Sequence, residues 1–173
     1  MVQFKGMVVL LTGGSRGIGP IVSEALAKRG ANIALAARSK SGLQDVASRL
    51  GELGTKAFVM PIDLSQSSQR EKLVADVLKE FGKIDVLINN AGLETEGAYV
   101  ELSWPSIRET IEVNLIAPMA LTRLVLPEML ERKSGHIVCR AYTWESALSR
   151  PGRGHLRGMS GRTDHSLPDG GTE

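Results

Sequence analysis

The feature that most constrains the fold is a regular alternation of short apolar runs with longer stretches of helical periodicity. The apolar runs lie at residues 7–12, 32–37, 56–62, 85–89 and 135–139. Helical stretches separate them at about 17–29, at about 42–53, in a segment that ends at Phe81, and at about 103–132. Strands that are apolar throughout are typical of a parallel sheet buried on both faces. With right-handed crossovers, this pattern predicts an open, doubly wound α/β sheet whose ligand site lies at the carboxyl ends of the strands.

The composition narrows the classes of function. The chain has 173 residues, 42% hydrophobic and 23% charged, which suits one ordinary globular domain. A net charge of +2 gives no reason to expect a nucleic acid or a membrane as the main partner, so a small molecule is the default. One cysteine excludes an internal disulfide, and the three histidines lack metal-ligand spacing. Because no apolar run suits a signal peptide or a membrane span, we expect a cytoplasmic protein without a metal site.

The first apolar run is followed by the glycine-rich turn TGGSRGIG at residues 12–19. Glycines at 13, 17 and 19 permit a sharp turn and a close approach to a diphosphate, which the N-terminus of the next helix favours. The spacing is GxxxGxG and not GxGxxG, and such turns also serve as plain tight connections, so both interpretations stay open. A Walker-type site needs Gly-Lys followed by Ser or Thr. No lysine lies between Lys5 and Lys28, which disfavours ATP or GTP hydrolysis.

The end of the second strand bears on the choice between NAD and NADP. A Rossmann-type site for NAD places an acidic residue there, on the ribose 2'-hydroxyl. This strand ends instead in Ala37, Arg38 and Ser39, and Arg16 stands in the first turn. Two guanidinium groups at one point suit a 2'-phosphate, so NADP is predicted in preference to NAD. The alternative is that both arginines are solvated loop residues.

Four motifs occur in a characteristic order: TGGSRGIG, then Asp63-Leu64, then the segment Asn89-Asn90-Ala91-Gly92, then Asn114 within the long helical stretch. In this order and at these spacings, residues 3–138 resemble the short-chain dehydrogenase/reductase family. The resemblance implies a Rossmann-like, doubly wound parallel sheet of strand order 3-2-1-4-5. It also implies NAD(P) binding and hydride transfer to or from a carbonyl or alcohol carbon.

The resemblance also implies roles for single residues. Asp63 would bind the adenine amino group, Asn90 and Gly92 would line the cofactor's ribose side, and Asn114 would join a catalytic tetrad. Pro118 supports the role of Asn114, because a proline has no N–H to donate to the carbonyl four residues earlier, and the carbonyl of Asn114 is left free. By the resemblance, this carbonyl would hold a water molecule of a proton relay. Alternatives remain open for three of these residues: Asp63 could belong to a helix N-cap region, Asn90 could be a turn residue, and Asn114 could be an asparagine that faces the core. The predicted cofactor-binding set is Gly13, Ser15, Arg16, Gly17, Ile18, Gly19, Arg38, Asp63, Leu64, Asn90, Ala91 and Gly92.

The sequence departs from the family pattern after the fifth strand. The resemblance implies N-x-S-S and then Y-x-x-x-K, whose serine, tyrosine and lysine carry the proton chemistry. The chain has Cys139-Arg140-Ala141-Tyr142 instead, with His155 and Met159 near the tyrosine and lysine positions. Residues 1–138 contain 23 valines and isoleucines and residues 139–173 contain none. We therefore expect a truncated Rossmann domain at 1–138 and a disordered tail at 139–173, either a product of a shifted reading frame or an evolved segment.

Two hypotheses of function follow. The first is an NADP-preferring oxidoreductase acting on a small carbonyl or alcohol substrate. The second is a catalytically inactive dinucleotide-binding fragment, because the serine, tyrosine and lysine are missing. An oligomer of the family type is doubtful, since the helix that would carry Y-x-x-x-K is absent. The helical segment is then expected to expose Leu115, Leu121, Leu124 and Val125 to water or to another chain.

Overall fold

The computed structural model describes residues 4–94 and 99–140, which contain a five-stranded parallel sheet. The strand order is β3-β2-β1-β4-β5, so the predicted order 3-2-1-4-5 is confirmed. The predicted tail lies outside the described residues, apart from Cys139 and Arg140. The strands are β1 (Val8–Thr12), β2 (Asn32–Ala37), β3 (Ala57–Pro61), β4 (Val86–Asn89) and β5 (His136–Cys139).

The helices occupy the predicted connections, but the stretch at 103–132 is not one regular α-helix. A π-helical turn, Glu112–Ile116, joins α4 to α5, and the N–H of Ala117 reaches the carbonyl of Glu112 five residues earlier. Pro118 offers a physical reason, because it has no N–H with which to continue a regular ladder. The helices are α1 (Ile18–Ala27), α2 (Lys40–Glu52), α3 (Ser67–Phe81), α4 (Trp104–Ile111) and α5 (Ala117–Glu131).

β1 divides two hydrophobic cores, one on each face of the sheet. Val8 and Leu10 point into the core that α3 and α5 cover, and Val9 and Leu11 point into the core that α1 and α2 cover. All four side chains are at most 2% exposed. Successive residues of a strand point to opposite faces, so an apolar run is needed where both faces are buried. The cores therefore explain why β1 carries no polar residue before Thr12.

The prediction of exposed leucines on the long helical segment is only partly right. Leu115 is 54% exposed, but Leu121 and Val125 are buried and Leu124 packs partly buried against the same core. The prediction is wrong for these three residues because α5 packs against α3 and the sheet. In the described part of the chain, β5 is an edge strand, and its Val138 is 50% exposed.

The helical run Trp104–Glu131 has the length and composition of a membrane span, with a mean hydropathy of 1.3 over its most apolar window. Its second half does not stand apart from the domain, because Leu121, Val125 and Met129 lie in the core beneath α5. Only one side of the run, along α5, is part of the core, and 28% of its most apolar window is buried.

Asp85 ties together the opposite end of the sheet from the ligand site. Its Oδ2 accepts a hydrogen bond of 2.8 Å from the N–H of Val8 and lies 2.9 Å from Lys83 Nζ. Its Oδ1 lies 3.1 Å from Nη1 of Arg132, which follows α5. Burial by itself raises the pKa of Asp85, but the hydrogen bonds from Lys83 and Val8 and the charges of Lys83 and Arg132 outweigh it. The pKa of Asp85 is thus held below its ordinary value of 3.8.

We predict that Asp85→Asn lowers the free energy of unfolding at pH 7 by about 2–4 kcal/mol, because two cations and a buried N–H lose an anionic acceptor. The pKa of Asp85 is lower in the folded state. Its stabilising contribution is therefore complete above the ordinary value of 3.8 and disappears as the pH falls through the folded pKa. Urea unfolding at pH 7 and at pH 3 should show the gap between wild type and variant narrowing in acid.

The exposed Asp45 supplies the control, as Asp45→Asn makes the same change of charge on the surface of α2. It should change stability by less than about 0.5 kcal/mol at either pH. A gap for Asp85→Asn that is as small as the gap for Asp45→Asn would contradict the role given to Asp85.

Candidate functional site

A pocket of about 340 Å³ opens at the carboxyl ends of the strands. The crevice lies where the chain leaves β1 for one side of the sheet and β4 for the other, the position at which open α/β sheets bind ligands. Its volume lies in the usual range for small-molecule sites. The pocket is lined by Gly13, Ser15, Arg16, Gly17, Ile18, Ala37, Arg38, Ser39, Ile62, Asp63, Leu64, Asn90, Ala91, Gly92, Leu93, Val113 and Arg140.

The turn between β1 and α1 needs its glycines for two different reasons. A Cβ on Gly19 would lie 2.2 Å from the carbonyl oxygen of Gly13, so this position permits the first turn of α1 to pack on the loop. Gly17 has a φ of +63°, and a Cβ there would meet nothing within 4 Å. The missing side chain of Gly19 therefore allows α1 to pack closely against the turn, whereas the missing side chain of Gly17 leaves open space next to the N-terminus of α1.

Thr12 and Asn90 lock the turn to the end of β4. The Thr12 hydroxyl accepts hydrogen bonds of 3.0 Å from the N–H groups of Asn90 and Ala91. The Asn90 amide donates to the carbonyls of Thr12 and Gly13 at 3.0 and 3.3 Å. Thr12 is 1% exposed and Asn90 7% exposed, so these buried polar groups satisfy each other. Asn90 thereby builds the wall of the pocket with its side chain and presents the backbone of the next residues to it.

The loop after β3 is held from within by a buried arginine. The Asp63 carboxylate accepts a hydrogen bond of 2.9 Å from the N–H of Ser65, which closes a local turn. The backbone N–H of Asp63 donates to the side-chain oxygen of Gln69. Arg70, 5% exposed, donates to the carbonyl of Leu64 at 2.6 Å and to Glu112 of the π-helical turn at 2.7 Å. Arg70 thus fixes Leu64 and connects the loop to the element that carries Asn114.

The side chain of Asn114 is occupied by the loop that follows β4. Its Oδ1 accepts from the N–H of Leu93 and its Nδ2 donates to the carbonyl of Leu93, both at 2.8 Å. This pair of bonds imitates the pairing of two backbone strands and fastens the loop at Ala91–Leu93 to the π-helical turn. Asn114 does not line the pocket itself, but it positions Leu93, which does.

Three arginines and one carboxylate give the pocket its charge. Arg16, Arg38 and Arg140 line it together with Asp63. The side chain of Arg38 also reaches Glu109 of α4, with 3.2 Å between Nη1 and Oε1. The first turn of α1, Ile18–Ile21, carries no acidic residue. An anionic ligand would therefore meet positive charge at the rim and unopposed N–H groups at the base.

The structure brings together most of the residues that the sequence predicted. Eleven of the twelve predicted cofactor-binding residues line the pocket, and Gly19 lies beneath the turn. The positions expected for the serine, tyrosine and lysine of the family, at 142, 155 and 159, lie outside the described residues. Sequence reasoning missed Thr12, Arg70 and Glu109. Thr12, the lone polar residue ending an apolar run, carried a signal, whereas Arg70 and Glu109 look like ordinary polar residues of helices.

The two glycines of the turn predict a contrast in stability. Gly19→Ala should lower the free energy of unfolding by about 3 kcal/mol, the upper end for overpacking, because the obstructing atoms are backbone. Gly17→Ala should lower it by about 1–2 kcal/mol, because the new Cβ is strained by the positive φ but meets no neighbour. Urea unfolding of the two variants measures both effects, and a larger loss for Gly17→Ala would contradict this account of the turn.

Comparison with known proteins agrees with the geometry. A family model described as short chain dehydrogenase matches residues 7–141. The ketoacyl reductase HetN of a Nostoc species is 44% identical over 138 residues, which are 80% of this chain and 48% of that protein. The human dehydrogenase/reductase SDR family member 7 is 39% identical over 140 residues, 79% of this chain and 41% of that protein.

A solved structure shows the same fold. The crystal structure of a metagenomic short-chain oxidoreductase in complex with NADP is 35% identical, with a TM-score of 0.76 over 79% of this chain and 62% of that one. The chain spans about half the length of the curated relatives it matches. With the family model covering residues 7–141 of 173, the chain belongs to the short-chain dehydrogenase/reductase family.

Proposed function

We propose that this chain binds a nicotinamide dinucleotide in the pocket, NADP in preference to NAD, as the cofactor-binding part of an oxidoreductase. The observation that carries the proposal is the position of Arg16 and Arg38, which line one pocket at the carboxyl ends of the strands. When bound, the cofactor supplies or accepts the hydride that a family member exchanges with a carbonyl or alcohol carbon. The proposal also includes a small carbonyl or alcohol compound as the substrate and a cytoplasmic location.

The turn between β1 and α1 would hold the diphosphate. Gly17 offers open space to an incoming group, and the N-terminus of α1 presents N–H groups without an acidic residue in its first turn. Backbone donors combined with the helix dipole favour a phosphate at this point. Ser15 and Ile18 line the same part of the pocket and would contact the cofactor there.

The loops after β3 and β4 would hold the two nucleoside ends. In the described part of the chain, the Asp63 carboxylate has one hydrogen-bond partner, the N–H of Ser65, so acceptor capacity remains for an adenine amino group. Arg70 fixes Leu64 beside it. On the other side, Asn90 aligns the backbone of Ala91 and Gly92 along the pocket wall, where the nicotinamide ribose would lie.

The preference for NADP rests on charge at the end of β2. Ala37, Arg38 and Ser39 occupy this position, and Ser39 is engaged as the N-cap of α2 through the N–H of Gly42. None of these three residues is an aspartate or glutamate that could accept a hydrogen bond from a ribose 2'-hydroxyl, whereas arginine suits a 2'-phosphate. The metagenomic oxidoreductase of similar structure was solved with NADP, which supports this choice.

We predict that titration calorimetry gives a lower Kd for NADP than for NAD. Arg38→Gln should weaken NADP binding by about 10- to 100-fold, the value of a hydrogen bond to a charged group, and leave NAD binding nearly unchanged. Arg38→Asp should reverse the order of the two cofactors, because a carboxylate repels the 2'-phosphate and accepts from the 2'-hydroxyl.

Arg49 provides the matched control. It is exposed at the end of α2, pairs with Glu24 on the surface and does not line the pocket. Arg49→Gln makes the same change of charge and should leave both affinities unchanged. Equal affinities of the wild-type chain for NADP and NAD would contradict the proposed preference, and the absence of any binding would contradict the proposed function.

A second candidate function is dinucleotide binding without catalysis. The sequence supports it, because no lysine follows Lys133 and the residue four positions after Tyr142 is Ser146. Nothing in this pattern supplies the positive charge that would bring the pKa of a tyrosine, about 10, toward neutrality.

We predict that this chain turns over a panel of aldehydes, ketones and alcohols at close to the uncatalysed rate, although it binds NADPH. Proton transfer by a matched acid commonly contributes about 100- to 10,000-fold, and that contribution would be missing. The measurement is NADPH absorbance with time. A strong NADPH-dependent rate that Tyr142→Phe removes would contradict the inactive alternative and support the oxidoreductase.

A further inference from the structure

The ion pair between Arg38 and Glu109 joins distant parts of the chain at the rim of the pocket. Arg38 follows β2 and Glu109 lies on α4, 71 positions later, yet their Nη1 and Oε1 atoms are 3.2 Å apart. Arg38 lines the pocket and Glu109 does not. The Glu109 carboxylate therefore already contacts the guanidinium of Arg38, which in the proposed function binds the 2'-phosphate of NADP.

This pair contributes little to holding the fold together. The two side chains are 57% and 46% exposed, and exposed pairs of this kind are screened by solvent. α4 has no buried residue along its whole described length, so little packing opposes a movement of Glu109 away from Arg38. The pair can therefore be exchanged for another anion at low cost.

We propose that Glu109 is a specificity-determining residue that competes with the 2'-phosphate of NADP for Arg38. The proposal rests on the proposed function and adds to it a residue outside the pocket lining. A guanidinium binds a phosphate best through two parallel N–H donors, and Nη1 is one of the donors that Glu109 engages. NADP displaces Glu109 from Arg38, whereas NAD, which has no 2'-phosphate, leaves the pair intact. Glu109 thus reduces the advantage of NADP over NAD.

The test is a double-mutant cycle read by calorimetric titration with NADP and with NAD. The variants are Glu109→Gln, Arg38→Gln and the double variant, compared with the wild-type chain. Glu109→Gln should tighten NADP binding by about two- to five-fold, the range of an exposed ion pair, and leave the affinity for NAD unchanged. In the Arg38→Gln background, the same change at Glu109 should have no effect on either affinity.

Glu71→Gln supplies the matched control for net charge. Glu71 is exposed on α3 and does not line the pocket, so its removal should leave NADP affinity unchanged. Circular dichroism checks that the variants fold, which we expect because the changed side chains are exposed.

The outcomes separate this proposal from the function on which it rests. If the wild-type chain binds both cofactors but Glu109→Gln behaves like Glu71→Gln, the role of Glu109 is overturned and the cofactor site stands. An equal gain for NADP with and without Arg38 also overturns it, because the charge of Glu109 then acts on the phosphate directly. If the wild-type chain binds neither cofactor, both proposals fall together.

Discussion

The rest of the structure depends on the burial of β1 on both faces. Its four apolar residues separate the two cores, and its neighbours β2 and β4 run parallel to it. Parallel pairing brings the carboxyl ends of all the strands to one edge, where the loops from β1, β2, β3 and β4 meet around one pocket. A strand with one face exposed to solvent would allow an antiparallel arrangement, in which the loops that follow successive strands lie at opposite edges of the sheet.

At that edge, polar groups take over from apolar packing. Thr12 ends β1 and bonds the backbone after β4, and Asn90 returns two bonds to the turn. The neighbouring Asn89 is less well satisfied. It is 2% exposed, donates to Cys139 Sγ at 3.5 Å, and its Oδ1 has no hydrogen-bond partner among the described residues. The buried amide of Asn89 is thus only partly satisfied by the described residues, beside the position at which the sequence departs from the N-x-S-S pattern.

Two side chains extend the site beyond its lining. Arg70 connects the loop after β3 to the π-helical turn, and Asn114 connects that turn to the loop after β4. The two ends proposed for the cofactor are therefore linked by a continuous set of hydrogen bonds through one irregular turn. The π-helical turn precedes Pro118, and its Glu112 bonds to Arg70 while its Asn114 bonds to Leu93.

The sequence by itself determined the parallel sheet and the edge at which the pocket lies, because apolar periodicity and glycine-rich turns act over a few neighbouring residues. The strand order was implied by the family resemblance, and the motifs and the resemblance together named eleven of the seventeen residues that line the pocket. Only the tertiary structure decided which side of α5 is buried. Leu121 and Val125 lie in the core because α5 packs against α3 and the sheet, whereas Leu115, in the π-helical turn before α5, is exposed. The tertiary structure also decided that Arg38 meets Glu109 and that Arg70 meets Glu112, because residues 42 to 71 positions apart come together only when whole helices and strands pack.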